Sequence, residues 1–293
     1  MKKSIKHFFL VLTLIQVVSS ASFSHVNLKA QTDIQWFSLK EVSEKVWQIN
    51  SFGNNKYLIE GRDSSLLIDN GLGVADLTSL VKKLTSKPLI VVNTHSHPDH
   101  AGANYQFEKV YLHAADTSIA RQYNLPERRA EMSEGLLRRN RISKSDLFKG
   151  KPLNTKLLSV TEGHIFNLGD RRIQVMETPG HTLGSICLLD IENRLLFSGD
   201  NNDIMVSLFL QDCTPLHIYL ETLEKQRAMI SEFYILLPGH GEPIPSDIIN
   251  DQIKCVKGIL DGTCQSKEFK TFVGNSMICT FGRVSVVYNP ENL

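Results

Sequence analysis

The stretch PLIVVNTHSHPDHAG, residues 88–102, decides how the rest of the chain is read. Its first half is a short continuous apolar run, the mark of a strand covered on both faces. Its second half places His95, His97, Asp99 and His100 within six positions. A lone His-X-His is a weak signal. Four side chains of ligand type this close together are a strong one, because each buried imidazole needs its own polar partner and histidines do not gather for packing. In an extended segment His95 and His97 point the same way. Pro98 holds His97 in extended geometry, and Asp99 and His100 then turn toward a second point. Neutral imidazole with carboxylate is the donor set that suits Zn²⁺ and, less selectively, iron or manganese.

Three other apolar runs end in the same way. IQVMETPG leads to His181, LLFSG to Asp200 and YILLPG to His240. In layered α/β folds, sites form where strand ends and their loops converge. VWQIN (46–50), YLIEG (57–61) and SLLID (65–69) read as an antiparallel meander. Leu77, Leu80, Val81 and Leu84 predict a helix over 74–85, and KVYLH (109–113) a further strand. Residues 114–150 are polar and helix-prone and read as a solvated helical excursion, with a lid that contributes to substrate binding as the alternative; Arg138, Arg139 and Arg141 cluster there as the available anchors for an anionic group. Thr214 reads as an N-cap with Pro215 in the first helical position, ahead of a face made of Leu216, Tyr219, Leu220 and Leu223. RVSVVYN (283–289) reads as an edge strand. Strands and helices interleave in both halves with no linker between them, which predicts a single domain of α/β layers with helices outside.

The chain has 293 residues, 42% hydrophobic and 22% charged, which suits a folded core and argues against disorder. A formal net charge of +1 leaves a nucleic-acid partner without electrostatic support, so a small-molecule substrate is expected. Lys2, Lys3 and Lys6 precede an apolar run from Phe8 to Val18, followed by Ser19-Ser20-Ala21. This is the three-part pattern of a secretory signal peptide, with cleavage expected after Ala21 or Ala30. The apolar run is short for a bilayer, so no stable membrane span is expected after cleavage, and the mature domain over 31–293 is expected in the periplasm or the medium. None of the five Cys has C-X-X-C spacing; Cys187 reads as a buried strand residue, and Cys255, Cys264 and Cys279 can supply one bridge.

THSHPDHAG, TPGHTLGS, FSGD and PGHGEP, in this order over roughly residues 45–245, resemble the metallo-β-lactamase-fold superfamily of hydrolases. The resemblance implies a four-layer αββα sandwich with a metal site at one edge of the sheets. It implies a first metal on His95, His97 and His181, a second on Asp99, His100 and His240, and Asp200 bridging both. The expected cofactor is two Zn²⁺ per chain, with Fe or Mn as substitutes. Asp69, which by itself reads equally as a turn residue, would support the metal loop from behind. The implied chemistry is attack of a metal-bridging hydroxide on an ester, lactone, thioester or amide carbonyl, with Asp99 orienting the nucleophile and relaying its proton. Asp200 departs from the third subclass of secreted metallo-β-lactamases and looks more like the glyoxalase II and lactonase branches. Two alternatives stand beside this reading: a class B-type β-lactamase, and an oxidoreductase resembling the mononuclear iron persulfide dioxygenases. Of the other histidines, His113 is expected to be a satisfied core residue, His164 a surface residue and His217 to lie outside the cleft. Export predicts that the exported protein, subjected to N-terminal sequencing, begins near Ser22 or Gln31; full-length chain found only in the cytoplasm would refute it.

Overall fold

In the computed structural model, residues 36–139, 142–272 and 274–293 are described; the basic and apolar N-terminal segment, with both expected cleavage points, and Arg141 lie outside the described residues. The chain enters through β1 (Ser38–Ser43), β2 (Val46–Ser51), β3 (Asn54–Glu60) and β4 (Ser65–Ile68), an antiparallel meander. Helix α1 (Leu77–Leu84) crosses to β5 (Leu89–Val92), which lies parallel to β4. The short helix α2 (Pro98–Ala101) follows, then β6 (Lys109–His113), α3 (Thr117–Tyr123), α4 (Pro126–Arg138) and β7 (Lys156–Val160). These seven strands form one sheet in sequence order.

The second sheet takes β8 (Ile165–Asn167), β9 (Arg172–Glu177), β10 (Ile186–Asp190) and β11 (Leu195–Gly199). The chain then leaves through β12 (Met205–Leu208) and α5 (Leu216–Ala228), and returns as β13 (Ile235–Pro238), parallel to β11, and β14 (Ile244–Pro245). After α6 (Ile248–Leu260), strands β15 (Lys267–Thr271), β16 (Gly274–Phe281) and β17 (Val284–Tyr288) join β12 in a small third sheet.

Alternation along the strands sets the layers. In β3, Tyr57 and Ile59 face the core between the two large sheets while Leu58 faces outward. In β10, Ile186 and Leu188 face that same core while Cys187 and Leu189 face outward. Leu77, Leu80 and Val81 of α1 cover the outer face of the first sheet. Tyr219 and Leu223 of α5 and Ile249, Ile253 and Val256 of α6 cover the outer face of the second. The fold is therefore the expected αββα sandwich.

Several local expectations are corrected. Helix α1 starts at Leu77, later than position 74, because Asp76 caps it by accepting from the Ser79 N–H at 3.0 Å. Thr214 is not an N-cap. Its N–H donates to the Gly180 carbonyl at 2.9 Å, and Pro215, with ψ of 147°, is the residue that leads into α5. The RVSVVYN strand is not at an edge: β17 lies between β12 and β16, because β12 pairs with it in parallel. His113 is half-buried and not a core residue; its Nε2 lies 3.2 Å from Glu177 and its Nδ1 accepts from Ala115 N–H. His164 is exposed, and His217 is exposed beside the Leu293 carbonyl, away from the cleft. Cys264 and Cys279 form a disulfide, while Cys187, Cys213 and Cys255 are buried free thiols. No helix among the described residues is long and apolar enough to cross a membrane.

Phe197 on β11 is fully buried between the sheets with its ring 5.2 Å from that of Tyr57. Phe197→Ala is expected to cost about 3–5 kcal/mol of stability, read as a lower urea midpoint at unchanged slope.

Candidate metal centre

The turn after β5 is built on Asp69. This residue follows β4 with a φ of 59°, uncommon for a residue with a side chain, and its N–H donates to the Val92 carbonyl at 2.8 Å. From there its carboxylate accepts from Thr94 N–H at 2.7 Å and Thr94 Oγ1 at 2.8 Å. The same carboxylate meets His100 Nδ1 at 2.8 Å, so the other ring nitrogen, Nε2, faces the cleft. His97 is the N-cap of α2, with extended backbone ahead of Pro98. That geometry separates His95 and His97 on the turn from Asp99 and His100 on the helix.

His181 follows β9 and is fixed twice. Its N–H donates to Asn201 Oδ1 at 2.9 Å, and its Nδ1 lies 2.6 Å from the Ser207 carbonyl. Its Nε2 comes within 2.9 Å of His97 Nδ1. Asp200, after β11, reaches three rings: His100 Nε2 at 3.2 Å, His240 Nε2 at 3.3 Å and His181 Nε2 at 3.5 Å. Asp99 lies 3.4 Å from His240 Nε2 and accepts from Asn54 Nδ2 at 2.9 Å. His240 Nδ1 sits 3.0 Å from the Gly53 carbonyl. Gly239 is required here: a Cβ would fall 2.2 Å from Asp200 Oδ1 and 2.5 Å from His100 Cε1.

Among the described residues three groups of donor atoms result, each with atoms within 4.8 Å of one another: His95, His97 and His181; His95, His100 and Asp200; Asp99, His100 and His240. His95 Nε2 is buried without a hydrogen-bond partner, and His100 Nε2 and Asp200 Oδ1, 3.2 Å apart and buried, make no aligned hydrogen bond. Buried polar atoms are rarely left so, and these point into one space. The residues therefore fit bound cations. Electrostatics divide the donor set into two neutral rings and two that carry a proton a bound cation would displace. Burial holds His95 well below the usual imidazole range and His181 down to about 4, keeping both neutral and able to ligate. Burial alone would lower His100 and His240 as well, but the surrounding carboxylates together outweigh it: Asp200, Asp99 and Asp69 raise His100 well above the ordinary value, and Asp200 and Asp99 raise His240 to about 10. Burial would raise Asp200, yet His100 and His240 keep it well below the carboxylate range and so anionic.

A sequence model of the metallo-β-lactamase superfamily matches residues 50–202, which span the turn after β5, His181 and Asp200. The chain belongs to that superfamily. Among its relatives is the acyl-coenzyme A thioesterase MBLAC2 of Homo sapiens, 30% identical over 233 residues, covering 71% of this chain and 82% of that protein. The Gallus gallus protein of the same name is 32% identical over 184 residues, covering 57% of this chain and 66% of its own. Solved structures share the fold: a metallo-β-lactamase from Pontibacter korlensis has a TM-score of 0.56 at 16% identity, covering 75% of this chain and 99% of its own. The sec-alkylsulfatase Pisa1 from Pseudomonas sp. has a TM-score of 0.58 at 19% identity, covering 77% of this chain and 42% of its own. The chain is a hydrolase of this superfamily.

The structure brings His95, His97, Asp99, His100, His181, Asp200 and His240 together, with Asp69 directly behind His100. Three supporting residues escaped the reading of the sequence. Asp212 meets His97 Nε2 at 2.8 Å, which leaves Nδ1 to face His181. Buried Asp116 accepts from Ser96 N–H, Thr182 Oγ1 and Gly184 N–H, each at 2.9 Å, and so joins the loop of His97 to the loop of His181. Asn201 holds His181 and lies next to Asp200 in the chain. None carries a local signal, since a lone Asp or Asn in a loop is read as turn chemistry. Arg138 and Arg139 are exposed at the end of α4, and Arg141 lies outside the described residues. Asp212→Asn removes the charge that orients His97 through its outer nitrogen, and is expected to weaken metal binding by about 10–100-fold, read by competition with a chromogenic chelator.

Proposed function

We propose that this chain is an exported zinc hydrolase with two ions per chain, and that its substrate is an acyl thioester. The observation that carries this reading is the position of Asp200, anionic and within 3.2–3.5 Å of His100, His240 and His181, so that one carboxylate serves two ligand groups. His95, His97 and His181 would hold one ion, and Asp99, His100 and His240 the other. When bound, such ions polarise a carbonyl and supply a nucleophilic water at neutral pH.

The chain's own groups define what the site accepts. Burial would raise Asp99, but His100 and His240 pull it to about 2, so it stands as an acceptor fixed by Asn54 at the mouth of the site. Its carboxylate would orient the attacking water and relay its proton onward rather than keep it. Asp200 adds buried negative charge, which disfavours a substrate carrying its own carboxylate near the reacting carbonyl. A thioester carries none there, and its cleavage by water yields a carboxylic acid and a thiol. The naming of the human and chicken relatives as acyl-coenzyme A thioesterases supports the same choice among carbonyl substrates.

Metal analysis of the purified mature protein is expected to return two zinc ions per chain. His240→Ala should lose one of them and most activity, and Asp200→Ala should weaken both. A single ion bound by the intact residue set, or iron with oxygen uptake, would refute the reading. On a matched panel an acyl thioester should be cleaved at least as fast as a cephalosporin or carbapenem. A β-lactam favoured about 100-fold in kcat/KM, roughly 2.7 kcal/mol of transition-state stabilisation, would make the protein a β-lactamase instead.

A further inference from the structure

The turn between β2 and β3 supplies two of the contacts that fix the Asp99, His100 and His240 group. Asn54 Nδ2 donates to Asp99 Oδ2 at 2.9 Å, and the Gly53 carbonyl lies 3.0 Å from His240 Nδ1. The next residue joins the same turn to the loop of His240. Asn55 N–H donates to the Gly239 carbonyl at 2.7 Å, and Asn55 Nδ2 donates to the Pro238 and Gly241 carbonyls at 3.0 and 2.9 Å. The group of His95, His97 and His181 is held from elsewhere: His97 by Asp212, and His181 by Asn201 and the Ser207 carbonyl.

This turn contains a residue that does not suit it. Ser51 pairs with Asn54 across a loop of Phe52 and Gly53, and both loop residues have positive φ, 55° and 88°. Two-residue hairpin loops of that kind favour Asn, Asp or Gly at the first position, because a bulky side chain is costly in left-handed backbone. Such a conformation persists only where its surroundings over-determine it. Here they act from two sides. The rings of Trp36 and Phe52 stack with centroids 5.7 Å apart. Lys56 spans the turn from within: its Nζ donates to Ser51 Oγ at 2.5 Å and to the Asn54 carbonyl at 3.0 Å, one partner on each strand. Lys56 is fully buried and both of its acceptors are neutral. An apolar side chain of similar length would be less costly to bury, so packing alone does not account for a lysine at this position.

We propose that Lys56 is a positioning residue for one ion of the pair. By closing the β2–β3 turn it sets Asn54 against Asp99 and the Gly53 carbonyl against His240, so the affinity of the Asp99, His100 and His240 group depends on it, while that of the His95, His97 and His181 group does not. This rests on the two-ion reading above.

The test withdraws zinc from the loaded protein with a chromogenic chelator and resolves two steps of release. The step that disappears in His240→Ala belongs to the group beside the turn. Lys56→Met is expected to weaken that step by about tenfold and to leave the other within about twofold of wild type. Lys87→Met is the control: Lys87 Nζ meets Glu60 at 2.9 Å at the far end of β3, and its loss should leave both steps within about twofold of wild type. Where Lys56→Met folds poorly, Ser51→Ala removes one acceptor of the amine at little change in volume, and the same step should weaken by about threefold. Two unchanged steps, or two steps weakened equally, overturn the proposal. If the wild type releases a single ion, the two-ion reading fails, and nitrogen-15 shifts of the imidazoles in the protein as purified decide the role of the turn. A His240 signal that moves in Lys56→Met while His181 stays supports the positioning role, and an unmoved His240 overturns it.

Discussion

One buried carboxylate organises the centre. Asp69 takes a left-handed backbone conformation, φ 59°, and accepts at once from Thr94 N–H, Thr94 Oγ1 and His100 Nδ1. The first two bonds set the turn that carries His95. The third fixes which nitrogen of His100 faces the cleft. A charge removed from water in this way is tolerated only when its acceptor positions are used, and Asp69 uses three on the loop that supplies four ligand-type side chains. The unusual backbone conformation is where the fold holds local strain in exchange for that geometry.

Around this point the protein repeats a single device: an outer group fixes one ring nitrogen so that the other faces inward. Asp69 does this for His100, Asp212 for His97, the Ser207 carbonyl for His181 and the Gly53 carbonyl for His240. Orientation set from behind makes the donor atoms converge before any ligand arrives, which reduces the ordering cost of binding. Asp116 and Asn201 extend the same logic from rings to loops. A buried lysine belongs to this supporting structure as well. Lys56 donates to the Asn54 carbonyl and is lowered to about 7 by burial, with Asp99 and Asp69 acting in the opposite sense. Gly71 allows it to lie there, since a Cβ on Gly71 would fall 2.3 Å from Lys56 Cε.

The layering is legible because strand alternation is a local property. The runs that end at His95, Asp200 and His240 are apolar on both faces, the run that ends at His181 turns Ile173 and Val175 to the core and Arg172 and Gln174 away from it, and each became an interior strand of its sheet. The misreadings share a cause. β12 is four residues long and exists because β17 lies alongside it, so neither its presence nor the interior position of β17 could be read from the tail alone. Thr214 looked like a cap because its neighbours suited one, yet its amide was already taken by Gly180 across the site.

What the sequence alone determined is the donor inventory and its order: imidazoles and carboxylates at four strand ends, each following an apolar run that must be buried. That follows from side-chain chemistry and periodicity, which need no knowledge of distant residues. What only the tertiary structure decided is the grouping. Asp200 comes to lie between His100, His181 and His240, and Asp212 behind His97, because two sheets stack and bring loops from both halves to one edge. The contact of Phe209 with Phe272 depends likewise on strands that pair late in the chain. Such contacts join residues far apart in the chain, 115 positions for His97 and Asp212 and 187 for His240 and Gly53, and no local pattern encodes them.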